Sequence, residues 1–180
     1  NDPVVITISH LGYIKRTPLS EFREQSRGGV GSKGAHTRDE DFTEYIYPAT
    51  MHQTMLFFTK KGRCYWMKCY EIPEGAKNSK GRAIQNMLNI EADDSVNAFL
   101  RIGRFNDEEF LNSHYVIFAT KQGVIKKTSW KDYSRPRTNG VIAINIREDD
   151  EVVGVRLTNG HNEIILANRN GRAVRFDESL

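Results

Sequence analysis

Residues 29–34, Gly29-Val30-Gly31-Ser32-Lys33-Gly34, match the G-x-G-x-x-G pattern of a dinucleotide-binding turn letter for letter. That chemistry needs a strand before the glycines and a helix N-terminus after them, so that aligned amide dipoles meet the pyrophosphate. Here the charged stretch 20–27 precedes the glycines and residues 35–41, which lack an apolar helical face, follow, so the nucleotide reading is rejected. What remains is a different anion chemistry. Gly28, Gly29, Gly31 and Gly34 let backbone amides approach an anion closely, while Arg23, Arg27, Lys33 and Arg38 supply charge, a combination suited to a phosphodiester backbone.

Catalytic and metal chemistry find no comparable support. Glu148-Asp149-Asp150-Glu151 resembles an acid/base or metal cluster, but acidic runs also occur at 39–41 and 92–94, in phase with a repeat, which argues for an exposed acidic face rather than one cleft. His10, His36, His52, His114 and His161 show no metal-ligand spacing, and no Ser or Tyr sits in a nucleophile signature. Cys64 and Cys69 are five apart, so in a strand they point to opposite faces and cannot pair locally; free thiols fit a cytosolic protein. No apolar stretch approaches the roughly 20 residues of a membrane-spanning helix, and the expected location is cytoplasmic.

The elements that must hold these residues are repeated hairpins. Residues 115–128 enter a polar turn ending in Gly123 and leave it with Lys126 and Lys127, and the same turn returns at Gly12, Gly62 and Gly171. These glycines are 50, 61 and 48 residues apart, a period that signals a β-propeller or related array. Acidic runs at 39–41, 92–94 and 148–150 precede strand-like stretches at 43–49, 95–102 and 151–157. From the last acid to the next turn glycine the count is 21, 29 and 21, which places an insertion at a loop over 104–112. Polar glycine segments at 26–34, 78–81 and 135–140 complete the unit, the last two leading into strands expected at 82–88 and 141–146. About four strands per unit is close to one propeller blade. The units read as 1–50, 51–100, 101–150 and 151–180, the last incomplete, in a single all-β fragment of a longer polypeptide.

The chain has 180 residues, 38% of them apolar, which suits thin antiparallel sheets. The net charge of +3 says little, but the acids lie in runs before strands while Lys and Arg collect at hairpins and glycine loops, so the assembly has separate basic and acidic surfaces. Aromatics Phe57, Phe58, Tyr65, Trp66 and Tyr70 on the second hairpin read as inter-blade core rather than base-stacking platforms, and Trp130 and Tyr133 as blade-edge packing.

Residues 25–31, Gln25-Ser26-Arg27-Gly28-Gly29-Val30-Gly31, resemble the box motif of the DNA gyrase C-terminal domain, the one carried by the gyrase A protein, with Ser26 and Val30 where the family pattern carries Arg or Lys and with Lys33 and Arg38 nearby. The resemblance extends over essentially the whole chain, including 9–13, 19–22, 39–42, 70–74, 80–84 and 163–176. It implies a β-pinwheel of four-stranded blades, of which this chain holds about three and a half to four of six. It also implies sequence-non-specific wrapping of duplex DNA around a basic rim, in support of negative supercoiling. The parent would be a type II topoisomerase that hydrolyses ATP with Mg2+ as a heterotetramer with the gyrase B protein; this domain would hold no catalytic residue, cofactor or metal. The residues expected at DNA are Arg23, Gln25, Arg27, Gly28, Gly29, Gly31, Lys33 and Arg38 of the box loop, and Lys15, Arg16, Arg63 and Lys68 at the first two hairpins. To these are added Lys77, Lys80 and Arg82 in the second glycine loop, Lys126, Lys127, Arg135 and Arg137 in the third unit, and Arg172 and Arg175 in the fourth. Two alternatives stand: the related C-terminal domain of topoisomerase IV, and a propeller-type protein-interaction scaffold working through its acidic face.

Overall fold

The computed structural model describes residues 1–22 and 41–179. Its strands are β1 (Pro3–Ser9), β2 (Tyr13–Pro18), β3 (Thr43–Thr50), β4 (Thr54–Thr59), β5 (Arg63–Lys68), β6 (Arg82–Ala83), β7 (Val96–Ile102), β8 (Tyr115–Thr120), β9 (Ile125–Ser129), β10 (Val141–Ile142), β11 (Val152–Thr158), β12 (Glu163–Ala167) and β13 (Ala173–Asp177). One short helix, α1 (Glu108–Ser113), accompanies them among the described residues. The strands form antiparallel sheets in the orders β3-β1-β2-β6, β10-β5-β4-β7, β11-β8-β9 and β12-β13. The fold is all-β and propeller-like.

Sheet membership departs from chain order in one respect. The stretches expected as strands at 82–88 and 141–146 shrink to the two-residue β6 and β10, and each joins a hairpin one unit back, β6 the β1-β2 hairpin and β10 the β4-β5 hairpin. Ala83 pairs with Tyr13 and Arg82 with Ile14; Ile142 pairs with Arg63 and Val141 with Cys64. The amides that follow, Ile84 N–H and Ala143 N–H, donate to the carbonyls of turn glycines Gly12 (2.9 Å) and Gly62 (2.8 Å). A 3-10 turn at Ile84–Asn86 ends the first of these strands. Exchange of this kind couples the first sheet to the second and the second to the third through the backbone.

Period-2 alternation explains how the sheets stack. Every residue of β4 is buried, as expected for a strand covered on both faces. Met55 and Phe57 pack with Val4, Ile6, Ile8 and Ile14 of the first sheet, while Leu56 and Phe58 pack with Val116 and Phe118 of the third. Cys64 on β5 and Cys69 in the 3-10 turn that follows it fall into these two different cores, and both are free thiols. Burial pushes both thiols up, that of Cys69 to about 11.

The insertion expected as a loop contains α1 instead. Asp107 Oδ1 accepts from Phe110 N–H at 3.0 Å, an N-cap that nucleates a helix even this short. The segment brings Phe105 and Phe110 edge-on to Trp130, at centroid distances of 5.6 and 6.1 Å. Trp130 and Tyr133 are therefore core residues rather than edge packing, both fully buried between the second and third sheets.

All four hairpin turns are built alike. Gly12, Gly62, Gly123 and Gly171 have φ between +77° and +90°, a region only glycine enters without strain. The side-chain oxygens of Ser9, Thr59, Thr120 and Asn168 each accept from the N–H four residues on, at 3.1 Å. In the first three turns the last acid of the acidic run supplies a further clamp. Asp41 Oδ1 accepts from Leu11 N–H and Phe42 N–H, Asp94 Oδ1 from Lys61 and Ser95, and Asp150 Oδ1 from Gln122 and Glu151, all at 2.8–3.2 Å. Burial pushes the Asp150 carboxyl up, but the Thr120 hydroxyl and these N–H donors outweigh it and hold the group below the ordinary value. The in-phase acids were expected on an exposed face; at these positions they are backbone caps, with Asp41 and Asp94 buried.

The β12-β13 hairpin is tied to the third sheet by a polar network. Glu178 is buried; its Oε2 accepts from the Thr158 hydroxyl at 2.5 Å and its Oε1 from Asn162 N–H at 2.8 Å. Desolvation raises the Glu178 pKa, but these donors and Lys127 outweigh it and lower it below the ordinary glutamate value. A depressed folded pKa stabilises fully above the unfolded value of about 4.3 and is lost as pH falls through the lower folded value. An acid titration followed at the Asn162 amide resonance is therefore expected to show a midpoint below about 4.3 that Glu178→Gln abolishes; persistence of the step in that variant would assign it to another group.

Candidate nucleic-acid interface

Loop 73–81 lies along the free side of β2, above β6. Arg16 N–H donates to Pro73 O (2.8 Å) and Gly75 N–H to Arg16 O (3.0 Å), and a parallel bridge joins Arg16 to Glu74. The loop ends at Gly81, whose φ of +84° and 2.4 Å approach of an added Cβ to Ile14 O leave room for no side chain. In the second sheet, loop 134–140 follows the same course over β5 and ends at Gly140, with φ +72° and a hypothetical Cβ 2.9 Å from Cys64 O. Side chains of the covered strand hold it: an Arg63 Nη donates to Asn139 O (2.9 Å) and Trp66 Nε1 to Tyr133 O (2.9 Å).

These loops sort the expected cations into two groups. Lys77 and Lys80 on the first loop, Arg82 on β6 just after it, Arg135 and Arg137 on the second loop, Lys126 and Lys127 on β9, and Arg172 and Arg175 at the β13 hairpin are all exposed. Lys15, Arg16 and Arg63 were expected beside them and are not free. Lys15 is 7% exposed, and its ammonium donates to three loop carbonyls. Burial lowers the Lys15 pKa, with Glu21 opposing. The Arg16 side chain is 13% exposed, donates from Nε to Ile72 O at 3.1 Å and meets Glu74 at 3.7 Å. Lys68 is half-buried, with Nζ 5.3 Å from the Phe105 ring centroid. Hairpin exits that look basic in sequence thus serve as tie-downs wherever a loop crosses them, and β9, which pairs only with β8 among the described strands, keeps its lysines outward.

Arg23, Gln25, Arg27, Gly28, Gly29, Gly31, Lys33 and Arg38 lie outside the described residues. Four of the exposed sites have secondary attachments; Lys80 Nζ stands 3.8 Å from the Tyr13 ring centroid and Lys77 Nζ 5.5 Å from that of Phe22. Lys127 Nζ stands 4.4 Å from the Tyr115 centroid and donates to Glu178 O at 3.3 Å, and Arg175 pairs with Glu163 at 3.2 Å across the β12-β13 hairpin. Such an exposed pair contributes on the order of 0.2–1 kcal/mol and remains available to a competing anion. Sequence reasoning missed the aromatic rings beneath the lysines, because Tyr13 and Phe22 carry no signal that distinguishes them from ordinary strand and turn residues.

The family model described as DNA gyrase C-terminal domain, beta-propeller, matches residues 3–49, 53–102, 114–159 and 162–180. The chain is 46% identical to the DNA gyrase A protein of Halalkalibacterium halodurans over 98% of its own length and 20% of that protein. The Salmonella typhimurium gyrase A protein is 42% identical over 98% of this chain and 20% of its own. The chain thus spans about one fifth of these curated relatives. Among solved structures, the C-terminal domain of DNA topoisomerase IV is similar at TM-score 0.77 and 32% identity, covering 99% of this chain and 52% of that one. A DNA gyrase A C-terminal domain shares the fold at TM-score 0.69 and 20% identity, covering 98% and 55%.

Proposed function

The chain belongs to the DNA gyrase C-terminal domain family, and from that membership we propose that it binds duplex DNA without base readout and bends it around the outer rim of its sheets. The observation that carries this reading is the placement of exposed cations on the two loops that cross outer sheet edges: Lys77 and Lys80 on one, with Arg82 on the strand that follows it, and Arg135 and Arg137 on the other. Cations repeated on successive sheets trace a curved track for phosphates. Each phosphate neutralised releases counterion, and the sum offsets duplex bending, which costs about 1–6 kcal/mol for 20–30 bp through 40–90°. In the parent the wrap would present a DNA segment to the cleavage core and bias an ATP- and Mg2+-dependent cytoplasmic topoisomerase, assembled with the gyrase B protein, toward negative supercoiling. Similarity to the topoisomerase IV domain favours a second reading within the same class, separated by whether the reconstituted enzyme supercoils or only relaxes. The scaffold reading loses support, because Asp41, Asp94 and Asp150 face backbone amides.

The test is duplex binding across a salt series by this chain and by a variant with Lys77, Lys80, Arg135 and Arg137 changed to Ala. Log affinity should fall linearly with log salt, and the variant should show a slope shallower by up to about 0.9 per lost phosphate contact. Equal slopes would remove these loops from the interface.

A further inference from the structure

Lys15 stands on β2 where an exposed lysine was expected, yet its ammonium is turned under the loop that crosses the strand. It donates to Ala76 O (3.0 Å), Lys77 O (2.6 Å) and Ser79 O (2.6 Å), which uses all three of its N–H donors and requires the charged form. Thr17, two residues on and on the same face of the strand, donates its hydroxyl to Gly75 O at 2.9 Å. Four carbonyls of one short stretch, those of Gly75, Ala76, Lys77 and Ser79, are thereby drawn inward. On the outer side, Lys80 Nζ lies 3.8 Å from the Tyr13 ring centroid and Lys77 Nζ 5.5 Å from that of Phe22. Both lysines are exposed, and a cation resting on an aromatic face stays desolvated on one side only, free to be shared with an anion on the other.

We infer that Lys15 and Tyr13 are positioning residues of a phosphate-binding loop, residues 75–81, whose ligand is the phosphodiester backbone of duplex DNA and whose direct contacts are Lys77 and Lys80. The inference rests on the DNA-binding reading above and names how one rim element of it is built. A loop with two lysines and no internal anchor must lose its freedom when DNA arrives, which subtracts from affinity. Lys15 removes that freedom beforehand by fixing the loop carbonyls, and Tyr13 confines the Lys80 ammonium to the outward side. Lys15 itself touches no phosphate.

The experiment measures binding of a random-sequence duplex by the full chain, by Lys15→Met, by Tyr13→Leu, by the Lys77→Ala/Lys80→Ala pair, and by each positioning variant combined with that pair. Lys15→Met is expected to weaken binding about 5- to 10-fold, the ordering cost of two long side chains, with the salt slope of the parent retained. In the lysine-pair background neither Lys15→Met nor Tyr13→Leu should weaken binding further. Hydrogen exchange supplies a second readout: amides of residues 76–80 should exchange faster in Lys15→Met while β4 and β8 stay protected. If Lys15→Met fails to fold, Tyr13→Leu at the rim carries the test, with roughly a 2- to 3-fold loss expected from a cation–π contact at an exposed site. Additive losses in the two backgrounds, a slope reduced by Lys15→Met, or no loss from either positioning variant would overturn the inference while leaving DNA binding intact. Failure of the unaltered chain to bind DNA at low salt would overturn the DNA reading and this loop's role together.

Discussion

Gly62→Ala is expected to cost about 2–4 kcal/mol, against about 1 kcal/mol for Gly123→Ala, although the two glycines close the same turn. Both have positive φ, +90° and +89°, so both substitutions carry the conformational penalty of an L residue in that region. Only at Gly62 is the space already filled. A Cβ there would lie 2.4 Å from Ile144 O and 2.9 Å from a γ-carbon of Ile144, whereas nothing lies within 4 Å at Gly123. The atom in the way is backbone, held by Ala143 and Ile144 N–H donating to Gly62 O, so relief requires moving the segment that follows the exchanged strand β10. Urea midpoints of the two variants measure the difference; equal destabilisation would mean that the contact between turn and exchanged strand is looser than the geometry states.

Asp94→Ala is expected to destabilise by about 2–4 kcal/mol, because it leaves the part-buried N–H donors of Lys61 and Ser95 without an acceptor. Asp94 is 3% exposed, so water cannot replace the lost carboxylate without opening the turn. Asp150→Ala removes the equivalent clamp from a more exposed site at Gln122 and Glu151, where water can substitute, and should cost clearly less than Asp94→Ala. Thermal melts of both variants at neutral pH decide the matter. A loss at Asp94 no larger than at Asp150 would return these acids to the role of surface charge.

The four hairpins were legible because their determinants are local. A turn glycine, a Ser, Thr or Asn whose side chain reaches the N–H four residues on, and alternating apolar residues all fall within one short window. The reading of Phe57, Phe58 and Tyr65 as core likewise rested on their strand setting, and all three are buried. Helix α1 was hidden because a six-residue helix gives no periodic signal, and Asp107 reads as one more acid in a run until its acceptor role at Phe110 is seen.

The candidate interface was less legible, and Lys15-Arg16 beside Lys126-Lys127 shows why. The two dipeptides occupy equivalent places after their turn glycines, three and four residues on, and sequence assigns them the same exposed role. The structure withdraws the first pair under loop 73–81 and leaves the second on a strand edge, a difference made by bonds between residues 56 to 64 apart. The sequence by itself determined the repeat, the hairpins and the presence of cations in each unit, since these depend on backbone preference and side-chain alternation over a few residues. Only the tertiary structure decided which cations face solvent and which acids cap turns, because burial and hydrogen-bond partners at those positions come from residues 28 to 64 positions away in the chain.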